Sequence, residues 1–87
     1  MTPNEFSDLL KRTIHETNER LEQNPDYGVF QHAATELTRI DQLTEDGSKI
    51  PQTTTDIGIM AAKELDASDP EYADLLYQVA YAVNPRD

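Results

Sequence analysis

Apolar residues recur at intervals of three and four along most of this chain. In the first part of the sequence they include Phe6, Leu10, Ile14 and Leu21, and charged residues occupy many of the positions between them. This spacing places the apolar side chains on one face of an α-helix. No stretch shows the alternation of apolar and polar residues that is typical of a half-buried strand, so the pattern predicts an all-α protein.

Helix-starting and helix-ending residues divide the pattern into predicted helices over about residues 3–23, 27–44, 54–66 and 69–83. The first begins at a capping box formed by Thr2 and Glu5, and it ends before Pro25 because a residue that precedes proline disfavours the helical conformation. The connection to the second helix is short, which pairs the two antiparallel. We therefore predict a single domain, residues 1–87, folded as a small antiparallel bundle of four helices with the third as the shortest.

In the second half of the chain, the pattern defines the helix boundaries less sharply. A loop is predicted over residues 45–49, and the threonines that follow it are weak helix formers. Two residues compete to cap the fourth helix: Ser68, which can form a capping box with Glu71, and Asp69, which directly precedes a proline. Gly58 costs roughly 1 kcal/mol relative to alanine inside a helix, and we expect another backbone to pack closely against it.

The chain is strongly acidic, with a formal net charge of -10 from 17 acidic and 7 basic residues. Phosphate binding needs clustered Lys and Arg, so this balance argues against nucleic acid and against an anionic membrane surface. It favours a basic protein partner, which an acidic surface attracts over long range. Solubility alone is an equally good reason for an acidic chain, so charge by itself does not separate the two interpretations.

Acidic residues are concentrated around the predicted start of the fourth helix, and no Lys or Arg lies between Lys63 and Arg86. Five carboxylates and three tyrosines share this segment: Glu64, Asp66, Asp69, Glu71, Asp74, Tyr72, Tyr77 and Tyr81. Part of the acidic group can serve only to cap the helix and oppose its dipole. Tyr72 falls on the apolar stripe, as a core residue does. Tyr77 and Tyr81 lie to one side of that stripe, where they either cover the bundle edge or contact a partner.

Candidate chemistry is otherwise sparse. The chain has no cysteine, which excludes disulfides, thiol nucleophiles and zinc–thiolate sites. His15 and His32 each precede a glutamate by four residues, but the Glu-x-x-His signature of di-iron bundles is absent, so we expect surface histidines. We predict no enzyme, metal or cofactor, since nothing supplies a phosphate loop or a pocket that shifts carboxylate pKa values. The sequence shows no signal peptide or membrane-spanning run, which predicts a cytoplasmic protein.

Three stretches resemble a known family. They are MTPNEF at the start, NPDYGVF with the Glu36-Leu37 and Ile40 that follow, and DIGIMAAKELDASDPEYADLL through Tyr81. The family pattern in the last stretch falls here on Gly58, Ala61, Ala62, Lys63, Glu64, Leu65, Asp66, Asp69, Pro70 and Glu71. Over nearly its whole length, the chain resembles the small helical immunity proteins that neutralise a type VI secretion effector, an NAD(P)+ glycohydrolase.

The resemblance implies inhibition by binding, in which the protein blocks the active site of a cognate toxin and needs no cofactor. A toxin that binds a nucleotide pyrophosphate requires a basic cleft, which an acidic helix junction complements. The predicted contacts are Glu64, Asp66, Asp69, Glu71, Asp74 and Tyr77, with Tyr72 and Tyr81 as second choices. The alternatives are immunity to another nucleotide-modifying toxin, a helical adaptor or chaperone that binds a secretion component, and a metal-binding bundle. A homodimer of the free protein would add buried surface to a thin core.

Overall fold

A computed structural model of the protein describes residues 1–44 and 48–85. These residues form the helices α1 (Pro3–Gln23), α2 (Gly28–Leu43), α3 (Ile57–Glu64) and α4 (Pro70–Val83), and they contain no strand. The predicted all-α fold, with the third helix as the shortest, is confirmed. Residues 45–47, inside the predicted loop, lie outside the described residues.

The predicted boundaries of α1 are confirmed by its capping hydrogen bonds. The Glu5 amide donates to Thr2 Oγ1 at 3.2 Å, and the Thr2 amide donates to Glu5 Oε1 at 2.9 Å. Pro3 occupies the start of the helix, and α1 ends where the Asn24 amide donates to the Arg20 carbonyl. Both ends of α1 are therefore set by groups that are close in the sequence.

The four helices pack side by side around one core, in the cyclic order α1, α2, α3 and α4. Each helix contributes fully buried apolar side chains, among them Phe6, Leu10, Leu37, Ile40, Ile57, Leu65, Leu76, Val79 and Val83. The α3–α4 pair has the most extensive contacts. A Cβ atom added at Gly58 would lie 3.1 Å from the Cβ of Ala80, so the predicted close approach exists, with a side-chain methyl of α4 rather than its backbone as the neighbour.

The start of α3 differs from the prediction, because residues 51–56 lie outside any helix. We call this segment the strap. The Thr53 amide donates to the Val83 carbonyl at 2.9 Å. The Thr55 amide donates to Asn84 Oδ1 at 2.8 Å, and Asn84 Nδ2 donates to the Thr55 carbonyl at 3.3 Å. The C-terminal end of α4 thus supplies hydrogen-bond partners for the strap, through the Val83 carbonyl and the Asn84 side chain.

Arg39 of α2 fastens the strap from the other side. Its guanidinium donates to Thr53 Oγ1 at 2.8 Å and to the Thr54 carbonyl at 2.9 Å. Glu36 accepts two hydrogen bonds from Arg39 and one from Thr55 Oγ1, and the hydrogen bonds from Arg39 are the main reason that the pKa of Glu36 is lowered. The strap is therefore clamped between α2 and α4.

Of the two residues predicted to compete for the cap of α4, Asp69 occupies the N-cap position, and the capping box of Ser68 with Glu71 is not formed. The Asp69 side chain makes no capping hydrogen bond. The carboxylate of Asp69 turns instead towards α1, as described below. Within residues 1–44 and 48–85, no helix has both the length and the apolar composition needed to cross a bilayer.

Candidate functional site

The acidic residues singled out in the sequence come together where α3 turns into α4. We call Glu64, Asp66, Asp69, Glu71 and Asp74 the acidic corner. The Leu65 amide donates to the Ala61 carbonyl at 3.0 Å, and the Asp69 amide donates to the Leu65 carbonyl at 2.8 Å, so backbone hydrogen bonds hold the turn. Four of the carboxylates are exposed, and Asp69 is half-buried. The corner therefore presents fixed negative charge to solvent.

Asp69 is tied to α1 by a bidentate ion pair. Arg20 Nε donates to Asp69 Oδ2 at 2.7 Å, and Arg20 Nη2 donates to Asp69 Oδ1 at 3.3 Å. This pairing lowers the pKa of Asp69, while burial opposes the shift. Arg20 also binds Glu16 and lies over the ring of Tyr72, 4.4 Å from its centroid. Asp69 is thus committed to holding the corner against α1, and its oxygens are less available to a partner than those of its neighbours.

Tyr72 belongs to the core, as its place on the apolar stripe predicts, and this burial removes it from the second-choice partner contacts. Its relative exposure is 0%. Its hydroxyl lies 2.6 Å from Thr17 Oγ1, and Thr17 Oγ1 donates to the Thr13 carbonyl at 2.8 Å. Burial is the main reason that the pKa of Tyr72 is raised. The apolar stripe of α4 buries this ring because a buried hydroxyl acceptor on α1 satisfies its polar end.

Tyr77 connects the acidic corner to the outer face of α4. Its hydroxyl donates to Asp66 Oδ1 at 2.9 Å, and its side chain is half-buried. Desolvation first, then the hydrogen bond to Asp66 and the charges of Asp66 and Asp74, raise the pKa of Tyr77. Asp74 also accepts a hydrogen bond of 2.7 Å from Gln78 Nε2. Tyr77 is therefore bonded to one carboxylate of the acidic corner and lies one helical turn after another, Asp74.

A groove of about 530 Å³ runs between α3 and α4 on this face. We call it the α3–α4 groove, and its lining residues are Thr55, Gly58, Ile59, Tyr77, Gln78, Tyr81 and Asn84. Tyr81 is 70% exposed and Ile59 is 63% exposed. The sequence prediction included Tyr77 and Tyr81 but missed Ile59. The signal for Ile59 was its position opposite the buried stripe of α3, where a large β-branched side chain has no packing role.

The histidines lie on exposed surfaces, as predicted. His15 Nε2 lies 3.1 Å from Glu19 Oε1, and Glu16 is close enough to complete a group of potential metal ligands on α1. That group is largely exposed, and Glu16 already binds Arg20. His32 pairs with Asp56 at the start of α3, at 2.7 Å, rather than with the glutamate one turn further along α2. The two histidines therefore contact different carboxylates, on different parts of the surface.

Comparison with known proteins gives one informative result. No curated protein and no solved structure matches the chain. The Tsi6 family matches residues 5–85, a range that includes nearly all of α1, the other three helices and the whole acidic corner. This match confirms at the level of the family the resemblance carried by the sequence motifs. The chain therefore belongs to the Tsi6 family of type VI secretion immunity proteins.

Proposed function

We propose that this immunity protein neutralises a toxin that hydrolyses NAD(P)+, and that it does so by covering the toxin's nucleotide-binding cleft with the acidic corner. The observation that carries the proposal is the set of four exposed carboxylates on a turn held by hydrogen bonds. Lys63 is the only basic residue of the sequence between Ile57 and Pro85, against five acidic ones. This surface therefore has one dominant sign of charge.

The chemistry of the substrate supports this choice of partner. A dinucleotide has an anionic pyrophosphate, and an enzyme that binds it needs Lys, Arg or helix N-termini in its cleft. An acidic surface attracts such a cleft, speeds the encounter and repels acidic surfaces of other proteins. Family membership supports binding to an effector, and the choice of an NAD(P)+-hydrolysing effector rests on this complementarity and on the resemblance described above.

The fold supports binding without large rearrangement. The Arg20–Asp69 ion pair and the Tyr72–Thr17 hydrogen bond both fix the start of α4 against α1. A surface that is already ordered loses less conformational entropy when it binds. We infer a stoichiometric inhibitor that turns over no substrate and that acts in the cytoplasm, where the NAD(P)+ pool lies.

Charge reversal at the corner tests the proposal. Glu64→Lys combined with Glu71→Lys, at two exposed residues of the acidic corner, should weaken binding to the cognate toxin domain by about tenfold or more in calorimetry, since paired charges at an interface are worth up to several kcal/mol. The matched control is Asp8→Lys with Asp41→Lys, which makes the same change in net charge at exposed positions on α1 and α2. Asp69 is unsuitable as a probe because its replacement removes the partner of Arg20.

A larger loss for the corner variant than for the control supports the proposal. Equal losses for both variants would mean that only the overall charge matters, and unchanged affinity for the corner variant would place the interface elsewhere. The identity of the toxin's substrate needs a second measurement. Cells that produce the toxin should lose NAD(P)+ and recover it, with survival, when this protein is co-expressed. A toxin that kills while NAD(P)+ stays constant contradicts the proposed reaction.

A further inference from the structure

We infer that the α3–α4 groove receives a large apolar side chain of the toxin, from a toxin segment in which that residue is flanked by Lys or Arg. This inference rests on the proposed function, because it takes the toxin as the partner. We call this apolar toxin residue, seated in the groove beside the acidic corner, the anchor. Ile59, which contacts the anchor, is thereby added to the partner-binding residues predicted from the sequence.

The walls of the groove are apolar and exposed. Ile59 projects from α3 and Tyr81 from α4, with relative exposures of 63% and 70%. Gly58 also lines the groove, and because it has no side chain, α3 approaches Ala80 of α4 closely there. The groove is therefore a concave surface with two large, exposed apolar side chains. Concave and mostly apolar surfaces are the usual binding sites for apolar groups of a ligand.

The polar groups that line the groove already have partners within the chain. The Asn84 side chain bonds to the backbone of Thr55 through both Oδ1 and Nδ2. The Tyr77 hydroxyl donates to Asp66, and Gln78 Nε2 donates to Asp74. A polar ligand would have to compete with these hydrogen bonds, whereas an apolar ligand leaves them intact. Burial of apolar area therefore favours an aliphatic or aromatic occupant.

The charge around the groove determines what must flank that occupant. Asp66 accepts a hydrogen bond from the Tyr77 hydroxyl, and Asp74 lies one helical turn before Tyr77 on α4. A toxin residue seated in the groove would bring its sequence neighbours close to these carboxylates. Lys or Arg at those neighbouring positions is favoured, and Asp or Glu is repelled. The groove and the acidic corner thus form one continuous surface with an apolar part and an anionic part.

Truncation of Ile59 tests the anchor. Ile59→Ala should weaken binding to the cognate toxin domain by about tenfold or more, as expected for a residue packed at the centre of an interface. The fold is not at risk, because alanine is a better helix former than isoleucine and the side chain is mostly exposed. Leu43→Ala is the matched control: Leu43 is another exposed aliphatic residue, on α2, and its truncation should change the Kd by less than about threefold.

A photo-crosslinking experiment tests the chemistry of the occupant. A benzophenone side chain in place of Tyr81 should crosslink to the toxin, and the crosslinked peptide should contain a large apolar residue within a few positions of Lys or Arg. A crosslinked peptide without such a pair, or with acidic residues in place of the basic ones, overturns the inference.

The outcomes separate the anchor from the proposed function. If the wild-type protein binds the toxin and the corner variant weakens binding, but Ile59→Ala binds as tightly as wild type, the groove is not the anchor and the proposed function stands. If the wild-type protein does not bind the NAD(P)+-hydrolysing toxin at all, both proposals are wrong. Weakened binding by Ile59→Ala, with Leu43→Ala unaffected, supports both.

Discussion

The buried hydrogen bond between Tyr72 and Thr17 allows a quantitative test of how α4 is held against α1. The two oxygens lie 2.6 Å apart, and both side chains are buried. Thr17 Oγ1 donates its own proton to the Thr13 carbonyl at 2.8 Å, so the Tyr72 hydroxyl is the donor in the pair. Removal of the acceptor, Thr17 Oγ1, should therefore change the free energy of unfolding by a different amount from removal of the donor, the Tyr72 hydroxyl.

Thr17→Val leaves the Tyr72 hydroxyl buried without an acceptor, which costs about 1–3 kcal/mol. Tyr72→Phe removes the donor, while Thr17 keeps its bond to Thr13, so we expect a loss of roughly 0.5–1.5 kcal/mol. The double variant replaces both polar groups by apolar groups of similar shape, and it should lose less than about 1 kcal/mol. The ring of Phe keeps the stacking contact with Arg20, which lies 4.4 Å from the ring centroid of Tyr72.

Urea unfolding followed by circular dichroism measures these free energies. The double-mutant cycle should give a coupling energy of at least about 0.5 kcal/mol between the two positions. In thermal unfolding, each kcal/mol should shift the Tm by roughly 4–8 °C for a domain of this size. Additive losses, with the double variant less stable than either single variant, would falsify the claim that this hydrogen bond links the two helices.

Three further predictions concern stability. The pKa of Asp69 is lowered in the folded protein, so its contribution to the free energy of unfolding is complete above the unfolded pKa and is lost as pH falls through the folded pKa. Arg20→Gln should therefore make the loss of stability below about pH 4 shallower. Identical slopes of stability against pH for the variant and the wild type, measured by acid unfolding, would contradict this. Gly58→Val should lower the free energy of unfolding by about 1–3 kcal/mol, because the added side chain forces α3 away from α4. The control Ala62→Val, on the exposed side of α3, should change stability by less than about 0.5–1 kcal/mol. Equal effects of the two substitutions would mean that the close approach of Gly58 to Ala80 does not matter for stability. Asn84→Ala removes two hydrogen bonds to the strap and should lower the free energy of unfolding by about 1–3 kcal/mol. The strap amides should also exchange their hydrogens faster. Unchanged exchange would contradict the claim that Asn84 holds the strap against α4.

The sequence alone determined the elements whose start and end signals are local. The capping box of α1 and the Asn24-Pro25 stop lie within a few residues of the groups they satisfy, and the structure has α1 where they predicted it. The same holds for α4, which begins at Pro70 and ends before Asn84. The acidic corner was also predictable, because its carboxylates are close in sequence and share one turn.

Tertiary structure decided the features that depend on residues distant in sequence. The threonines of the strap stay outside α3 because Val83, Asn84 and Arg39 satisfy them. Ser68 and Asp69 were predicted as competing caps of α4. In the fold, the Asp69 carboxylate instead accepts hydrogen bonds from Arg20, which is 49 residues away in the sequence. Local propensity contains no information about such partners.

Within the candidate site, too, some residues could be predicted from the sequence and others only from the fold, for the same physical reason. Helical periodicity placed Tyr72 on the apolar stripe, but only the packing of α4 against α1 brought it to the Thr17 hydroxyl, 55 residues away, and removed it from the surface. Ile59 gave only a weak signal in the sequence, because an exposed apolar residue becomes informative when its neighbours in space are known. The order of the amino acids thus determines which residues are acidic, apolar or helical, and the packing of the helices decides which of them are exposed.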